Sequence, residues 1–359
     1  MSDLLYHPTW SAARERLTTW WQGGDLGRPA MQITVPRAEP WEDIEVLPEP
    51  EGWVTHYSTR SLEYRVNLAR RNCLYTTYLA EAVPYAAPGD LGPGCVSLYL
   101  GCQGHEMPGT TWFEPCIETP ETARFDLDRD NFYWQFTLRA HRATLPYSQG
   151  RFLQQFPDLI EGLDVLSAMR GNQALLVDLL ERPEWVHKSL RQITDRYFYY
   201  YDVLYEIIRD EVGGSVFWAW APGRMVKLQC DFSAMISVSM FDEFMRDILT
   251  EMTERTAHNM YHLDGPDAIR HLDVLLEVPR LNMIQWTPGA GQPHTDDPVW
   301  FPMYHRIIEA GKTIFLWVTD RERLELLKRE FGADMKRMMV NMSAPTLDEA
   351  EALMHTAEC

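Results

Sequence analysis

Asn259-Met-Tyr-His-Leu-Asp-Gly-Pro-Asp-Ala-Ile-Arg-His-Leu-Asp273 joins a short apolar run to a helical pattern, and the turn between them carries His262 and Asp264 ahead of Gly265 and Pro266. Proline is tolerated at the first helical position because its missing N–H has no intrahelical partner there. The stretch therefore reads as a strand, a turn and a helix start. In parallel β/α proteins, chemistry collects where strands deliver side chains into the loops at their C-terminal ends. His262 and Asp264 are thus candidate metal ligands or proton-transfer groups. The plainer alternative makes His262 a hydrogen-bonding residue and Asp264 the cap of the following helix.

The same rhythm extends on both sides. Apolar runs at Ser215–Trp220, Asn259–Asp264, Met283–Pro288, Thr313–Val318 and Met338–Met342 alternate with helical patterns at Ser237–His258, Pro266–Glu277, Pro298–Ala310, Arg321–Phe331 and Leu347–His355. Alternating strand and helix signals predict βα units around a parallel sheet. Five consecutive units favour a closed barrel over an open sheet, so the expected fold class is α/β: one TIM-like (β/α)8 barrel with N-terminal and loop elaborations. Residues 150–359 carry the regular repeats and residues 1–150 the irregular part of a single domain. Upstream, a helix is expected near Thr9–Gln22, strands at Ala30–Pro36 and Phe152–Leu159, and helices at Leu163–Leu180 and Pro183–Val212. The acidic, Pro-rich Glu39–Gly52 and the Gly- and Pro-dense Pro84–Pro120 read as excursions forming one wall of a pocket.

Composition narrows the function classes. The chain has 359 residues, 45% hydrophobic and 24% charged, with 52 acidic against 33 basic residues and a formal charge of -19. That charge repels phosphate backbones and anionic lipid, so neither nucleic acid nor a membrane is an expected partner. Six cysteines form no C-x-x-C pair, and the N-terminus lacks a basic segment followed by an apolar run. The expectation is a reduced, cytoplasmic protein, with a homodimer as a possible assembly.

Asp231-Phe-Ser-Ala-Met-Ile-Ser-Val-Ser-Met-Phe-Asp-Glu-Phe244, Tyr261-His-Leu-Asp-Gly-Pro266, Ile284-Gln-Trp286, Ala310-Gly-Lys312 and Leu175-Leu-Val-Asp-Leu-Leu-Glu-Arg-Pro-Glu184 resemble, in order, the uroporphyrinogen decarboxylase superfamily. That superfamily also holds the corrinoid-dependent methyltransferases. The resemblance implies a TIM-like barrel with its active site at the strand C-termini. Uroporphyrinogen decarboxylases carry an N-terminal Met-Arg-Gln-Ala-Gly-Arg segment, where this chain has Arg28-Pro-Ala-Met-Gln-Ile-Thr-Val-Pro-Arg37. Porphyrinogen is therefore not the expected substrate. The methyltransferase branch holds Zn²⁺ with a His-x-Cys pair and a further Cys; His262-Leu263-Asp264 keeps the His and replaces the Cys by Asp. His and carboxylate ligands leave a harder, more Lewis-acidic centre than thiolates. The implied function is transfer of a methyl group from a small methoxylated or methylated substrate to a corrinoid on a separate carrier protein. His262 and Asp264 would polarise the leaving oxygen, directly or through Zn²⁺ with Asp231, Glu114 or His105 as a third ligand. The alternatives are a decarboxylase or lyase on a small non-porphyrin carboxylate, with Arg170 or Arg37 as anchor and Asp231 or His262 as proton donor, and a barrel that binds a small molecule without chemistry.

Aromatic residues form a second constellation. A two-residue period puts Trp218 and Trp220 on one side of a strand, and Trp286 closes a neighbouring one, so these three are candidate pocket walls or barrel filling. Arg170 could reach a substrate anion or serve as a structural bridge. Glu114, beside Trp112 and Phe113, is a candidate general acid or a solvated loop charge. Lys227 and Asp231 could form an acid–base pair or a loop salt bridge.

Overall fold

The computed structural model describes residues 3–358. Seven strands form the central sheet: β1 (Ala30–Pro36), β2 (Thr76–Ala80), β3 (Met225–Gln229), β4 (His258–Asp264), β5 (Met283–Thr287), β6 (Thr313–Trp317) and β7 (Met338–Ser343). Their order is β2-β1-β7-β6-β5-β4-β3. All neighbours pair in parallel except β1 and β2, which are antiparallel. The closed barrel expected from the rhythm is not formed by this ladder, which stays open between β2 and β3. Among the described residues, the further short pairings there are the two-residue parallel pair Tyr85–Ala86 with Leu153–Gln154, a bridge from Gln155 to Val216, and the hairpin Ser215–Phe217 with Ala219–Ala221.

Helices cover the sheet where the sequence supplies an apolar stripe. Val238–Glu254, between β3 and β4, buries Phe241, Phe244, Met245, Ile248, Leu249 and Met252, the i, i+3, i+4, i+7 spacing of one helix face. Full burial of each such side chain stabilises by about 1.5–3 kcal/mol. Ser237 caps this helix by accepting the Met240 N–H at 3.2 Å. Strands β3 to β7 are themselves mostly buried, as expected for a sheet covered on both faces.

Several expected elements differ. Ser215–Trp220 is a hairpin whose reversal falls on Trp218, not one strand. The expected strand Phe152–Leu159 shrinks to Leu153–Gln154. Leu163–Leu180 is two helices, Gly162–Arg170 and Asn172–Glu181, parted at Gly171 with φ 88°. Pro266–Glu277 begins as a 3₁₀ segment and becomes α-helical only at Leu272. The irregular first part holds ordered helices at Leu62–Leu74 and Phe132–Ser148 and a hairpin, Gln103–Met107 with Thr110–Glu114. No helix among the described residues is long and apolar enough to cross a membrane.

Candidate functional site

Parallel register places Gln229, His262 and Gln285 side by side on one face of the sheet, because paired positions in neighbouring strands project the same way. Phe315 continues that row, and Trp317 lies two residues farther along β6 on the same face. Asp264 is two residues beyond His262. Asp231 follows β3 at the start of the 3₁₀ segment Asp231–Met235. One ligand atom each from Asp231, His262 and Asp264 lies within 4.8 Å of the others. The cluster therefore sits at the C-terminal ends of β3 and β4.

The imidazole is fixed by an amide. Gln285 donates its Nε2 to the Trp286 carbonyl at 2.7 Å and to Thr287 Oγ1 at 2.9 Å, leaving Oε1 as the atom that meets His262 Nδ1. An oxygen acceptor there puts the ring proton on Nδ1, so in the neutral ring Nε2 is a bare lone pair. That lone pair faces Asp264 Oδ2 at 3.7 Å. Three acceptors thus converge, an arrangement able to hold a cation or a shared proton. Asp264 does not cap the next segment: Gly265 holds the cap position and no side-chain cap bond forms. The plainer reading of Asp264 loses its support.

Asp231 stands at the solvent-reaching lip of the cluster and is held by a second layer of carboxylates. Asp164 accepts the backbone N–H groups of Asp231 and Phe232, each at 2.8 Å, which fixes the turn. Gln229 Nε2 donates to Asp231 at 3.1 Å and lies 3.4 Å from Asp164. Glu161 is fully buried and accepts the Gln229 N–H at 3.0 Å, while its other oxygen has no partner. Burial pushes its pKa well above the usual carboxylate range. The same effect acts on Asp231, whose pKa is pushed up to about 6, first by desolvation and then by the Asp164 charge. His262 and Lys227 oppose that rise. Lys227 is nearly inaccessible and pairs with Asp158 at 2.6 Å. It reaches Gln229 but forms no ion pair with Asp231.

Two indoles pack beside the cluster. Trp218 packs edge-on to His262 at 5.4 Å between ring centres and to Trp317 at 5.8 Å, and Trp317 stacks on Phe315 at 4.9 Å. Trp218 has φ 55°, a left-handed conformation that costs a bulky residue of order 1 kcal/mol or more. Its backbone N–H is held by Gln155 Oε1 at 2.7 Å.

The remaining candidates lie elsewhere. Trp220 is buried against Trp10 at 5.9 Å and donates to Asp210 at 2.8 Å. The reversal at Trp218 breaks the two-residue period that would have put the two indoles together. Trp286 pairs in register with Leu263, on the face opposite His262, and packs on Trp300 at 4.9 Å. Arg170 pairs with Asp178 at 2.8 Å and donates to the Ile117 carbonyl at 3.3 Å. Arg37 lies 3.8 Å above Trp41 and donates to Thr77. Glu114 and His105 meet at 3.2 Å on the exposed hairpin. Sequence reasoning missed Gln285, Gln229, Asp164, Glu161 and Trp317. The Met-Val-Lys-Leu-Gln alternation of β3 was the available signal for the second layer. A recess of about 730 Å³ is lined by Trp10, Arg14, Gln154 and Asp210 among others, and none of the cluster residues lines it.

No family model and no curated protein sequence matches the chain. Among solved structures, it is similar to a methyltransferase from Methanosarcina mazei. The TM-score is 0.60 at 11% sequence identity, covering 96% of this chain and 98% of that one. At that identity the likeness concerns the fold.

Proposed function

We propose that this chain is a methyltransferase of the uroporphyrinogen decarboxylase and corrinoid methyltransferase superfamily, with the TIM-like topology of that group in a form whose sheet ladder is left open. It would move a methyl group from a small methoxylated or methylated substrate to a corrinoid on a separate carrier protein. The observation that carries the reading is the convergence of three acceptors, His262 Nε2 and the carboxylates of Asp231 and Asp264, beneath the Trp218–Trp317 wall. The overall likeness to a methyltransferase supports it.

The donor set fits Zn²⁺: one imidazole nitrogen and two carboxylate oxygens make three protein ligands with a position left open, the arrangement of catalytic zinc sites. Bound there, the ion would supply Lewis acidity toward a substrate oxygen. The chain's own part is otherwise positional. Gln285 fixes the imidazole and Asp164 fixes the turn that carries Asp231, the outer-shell role that orients ligands. Trp218 and Trp317 present indole surface to a planar or methylated group. The decarboxylase alternative needs an arginine at the cluster, and Arg170 and Arg37 are engaged elsewhere. Methyl transfer is the reading retained.

The test combines elemental analysis of the purified protein with incubation of a reduced corrinoid and a panel of methoxylated aromatic and aliphatic compounds, followed by the absorbance of methyl–cobalt formation. Near-stoichiometric zinc and substrate-dependent methylation, both lost in His262→Ala, are expected. Zinc-free protein that methylates the corrinoid unimpaired would remove the metal. Failure to methylate with any compound in the panel, or with free methylated amines, would overturn the methyltransferase reading.

A further inference from the structure

Cys102 and Cys116 flank the exposed hairpin Gln103–Met107 with Thr110–Glu114, and their sulfurs lie 3.7 Å apart. Cys102 is fully buried and Cys116 is exposed. Neither belongs to the cluster around His262. The Cys116 and Ile117 N–H groups both donate to the Met169 carbonyl at 2.8 Å, and Cys102 N–H donates to Ser97 at 3.0 Å, so the backbone on each side of the pair is anchored. Cys73, Cys95 and Cys230 are buried. Cys359 lies outside the described residues.

We propose that Cys102 and Cys116 form an oxidisable dithiol, a site at which hydroperoxides convert two thiols to one disulfide. A disulfide needs the sulfurs at about 2.05 Å, a closure of less than 2 Å from their present separation that side-chain rotation is suited to deliver. Exposure sorts the two roles. Either sulfur can be the donor in their contact, and the Cys102 S–H also has the Ala168 carbonyl at 3.6 Å as an acceptor. Cys116 is the sulfur that solvent reaches, and access selects the attacking cysteine. Its thiolate attacks one peroxide oxygen and the O–O bond breaks. The departing hydroxide takes up a proton to become water, leaving Cys116 as a sulfenic acid. Cys102 then gives up its proton and attacks the Cys116 sulfur; the S–O bond breaks and the second oxygen leaves as water. Two thiols and one hydrogen peroxide become one disulfide and two waters.

The experiment uses the full chain carrying Cys359→Ser, treated with dilute hydrogen peroxide, alkylated after denaturation and mapped by peptide mass spectrometry. The expected product joins the Cys102 and Cys116 peptides, is lighter by two hydrogens, and reverts with dithiothreitol, while Cys73, Cys95 and Cys230 remain alkylated. Cys116→Ser, at an exposed position, should abolish the product without affecting folding. Cys102→Ser should leave Cys116 as a sulfenic acid trapped by dimedone. Recovery of Cys116 as a free thiol, its over-oxidation while Cys102 stays reduced, or its linkage to another cysteine would each overturn the proposal.

Discussion

Asp264→Asn separates a charge requirement from a structural one. The side chain is 39% exposed, makes no cap bond, and its ion pair is the 3.7 Å approach to His262. An exposed pair of that kind contributes about 0–1 kcal/mol, and Asn keeps the volume. The melting temperature should therefore fall by no more than about 2–4 °C, the shift per kcal/mol in larger domains. Function should respond quite differently. On the proposed metal reading, Asn keeps an oxygen at the site and removes the negative charge of one of the three ligands. Zinc affinity should then drop by at least about 100-fold, the upper end of what losing an outer-shell partner alone costs. Methyl-transfer turnover should fall by roughly two orders of magnitude or more, as for removal of a group needed in the transition state. A chelator-competition titration, a corrinoid absorbance assay and calorimetry on this one variant read all three quantities. Zinc affinity and turnover both at the wild-type level would refute the assignment of Asp264 to the site.

Asp231, with its pKa raised to about 6 in the folded chain against 3.8 as a free group, binds more protons folded than unfolded between those values. In chelator-treated protein its contribution to stability should thus decline as pH rises from about 4 to 6; melting curves across that window should fall more steeply for wild type than for Asp231→Asn, and parallel curves would contradict the assignment. Gln285→Leu keeps the bulk but frees the imidazole, and should weaken zinc binding by about 10–100-fold; unchanged affinity in a chelator titration would show that the ring needs no anchor. Gly214→Ala would drive a methyl to 2.3 Å from the buried Trp220 indole, and should cost about 1–3 kcal/mol in a denaturant melt; a neutral result would mean the ring relocates freely.

The second half of the fold was legible because β4 to β7 are short apolar runs separated by helices with one apolar stripe. Asn259–Asp264, Thr313–Val318 and Met338–Met342 each fall within a residue or so of the observed strands. β3 was not legible, since Lys227 and Gln229 interrupt its apolar run, and those interruptions are what place polar side chains toward the cluster. Trp218 misled for a related reason: a single residue at positive φ reverses the chain where the letters read as a continuous strand. His262, Asp264 and Asp231 could be singled out from a strand end and from the resemblance. Gln285, Asp164 and Trp317 could not, because their roles depend on register and on a helix more than sixty residues upstream of Asp231. Glu114 and Arg170 looked chemical in local context and proved to be a hairpin charge and a helix-end bridge.

The alignment of Gln229, His262 and Gln285 in one row makes the site a gauge of strand alignment. Side chains alternate between faces every residue, so sliding β4 by one position against its neighbours would bring Leu263 to the row and send His262 to the helix side. A sheet misaligned in this way would not bring the three proposed ligands together. An ion that binds only the native arrangement lowers its free energy alone, and would act during folding as a proofreader of the ladder, discarding the frame-shifted pairings that an all-apolar row would tolerate.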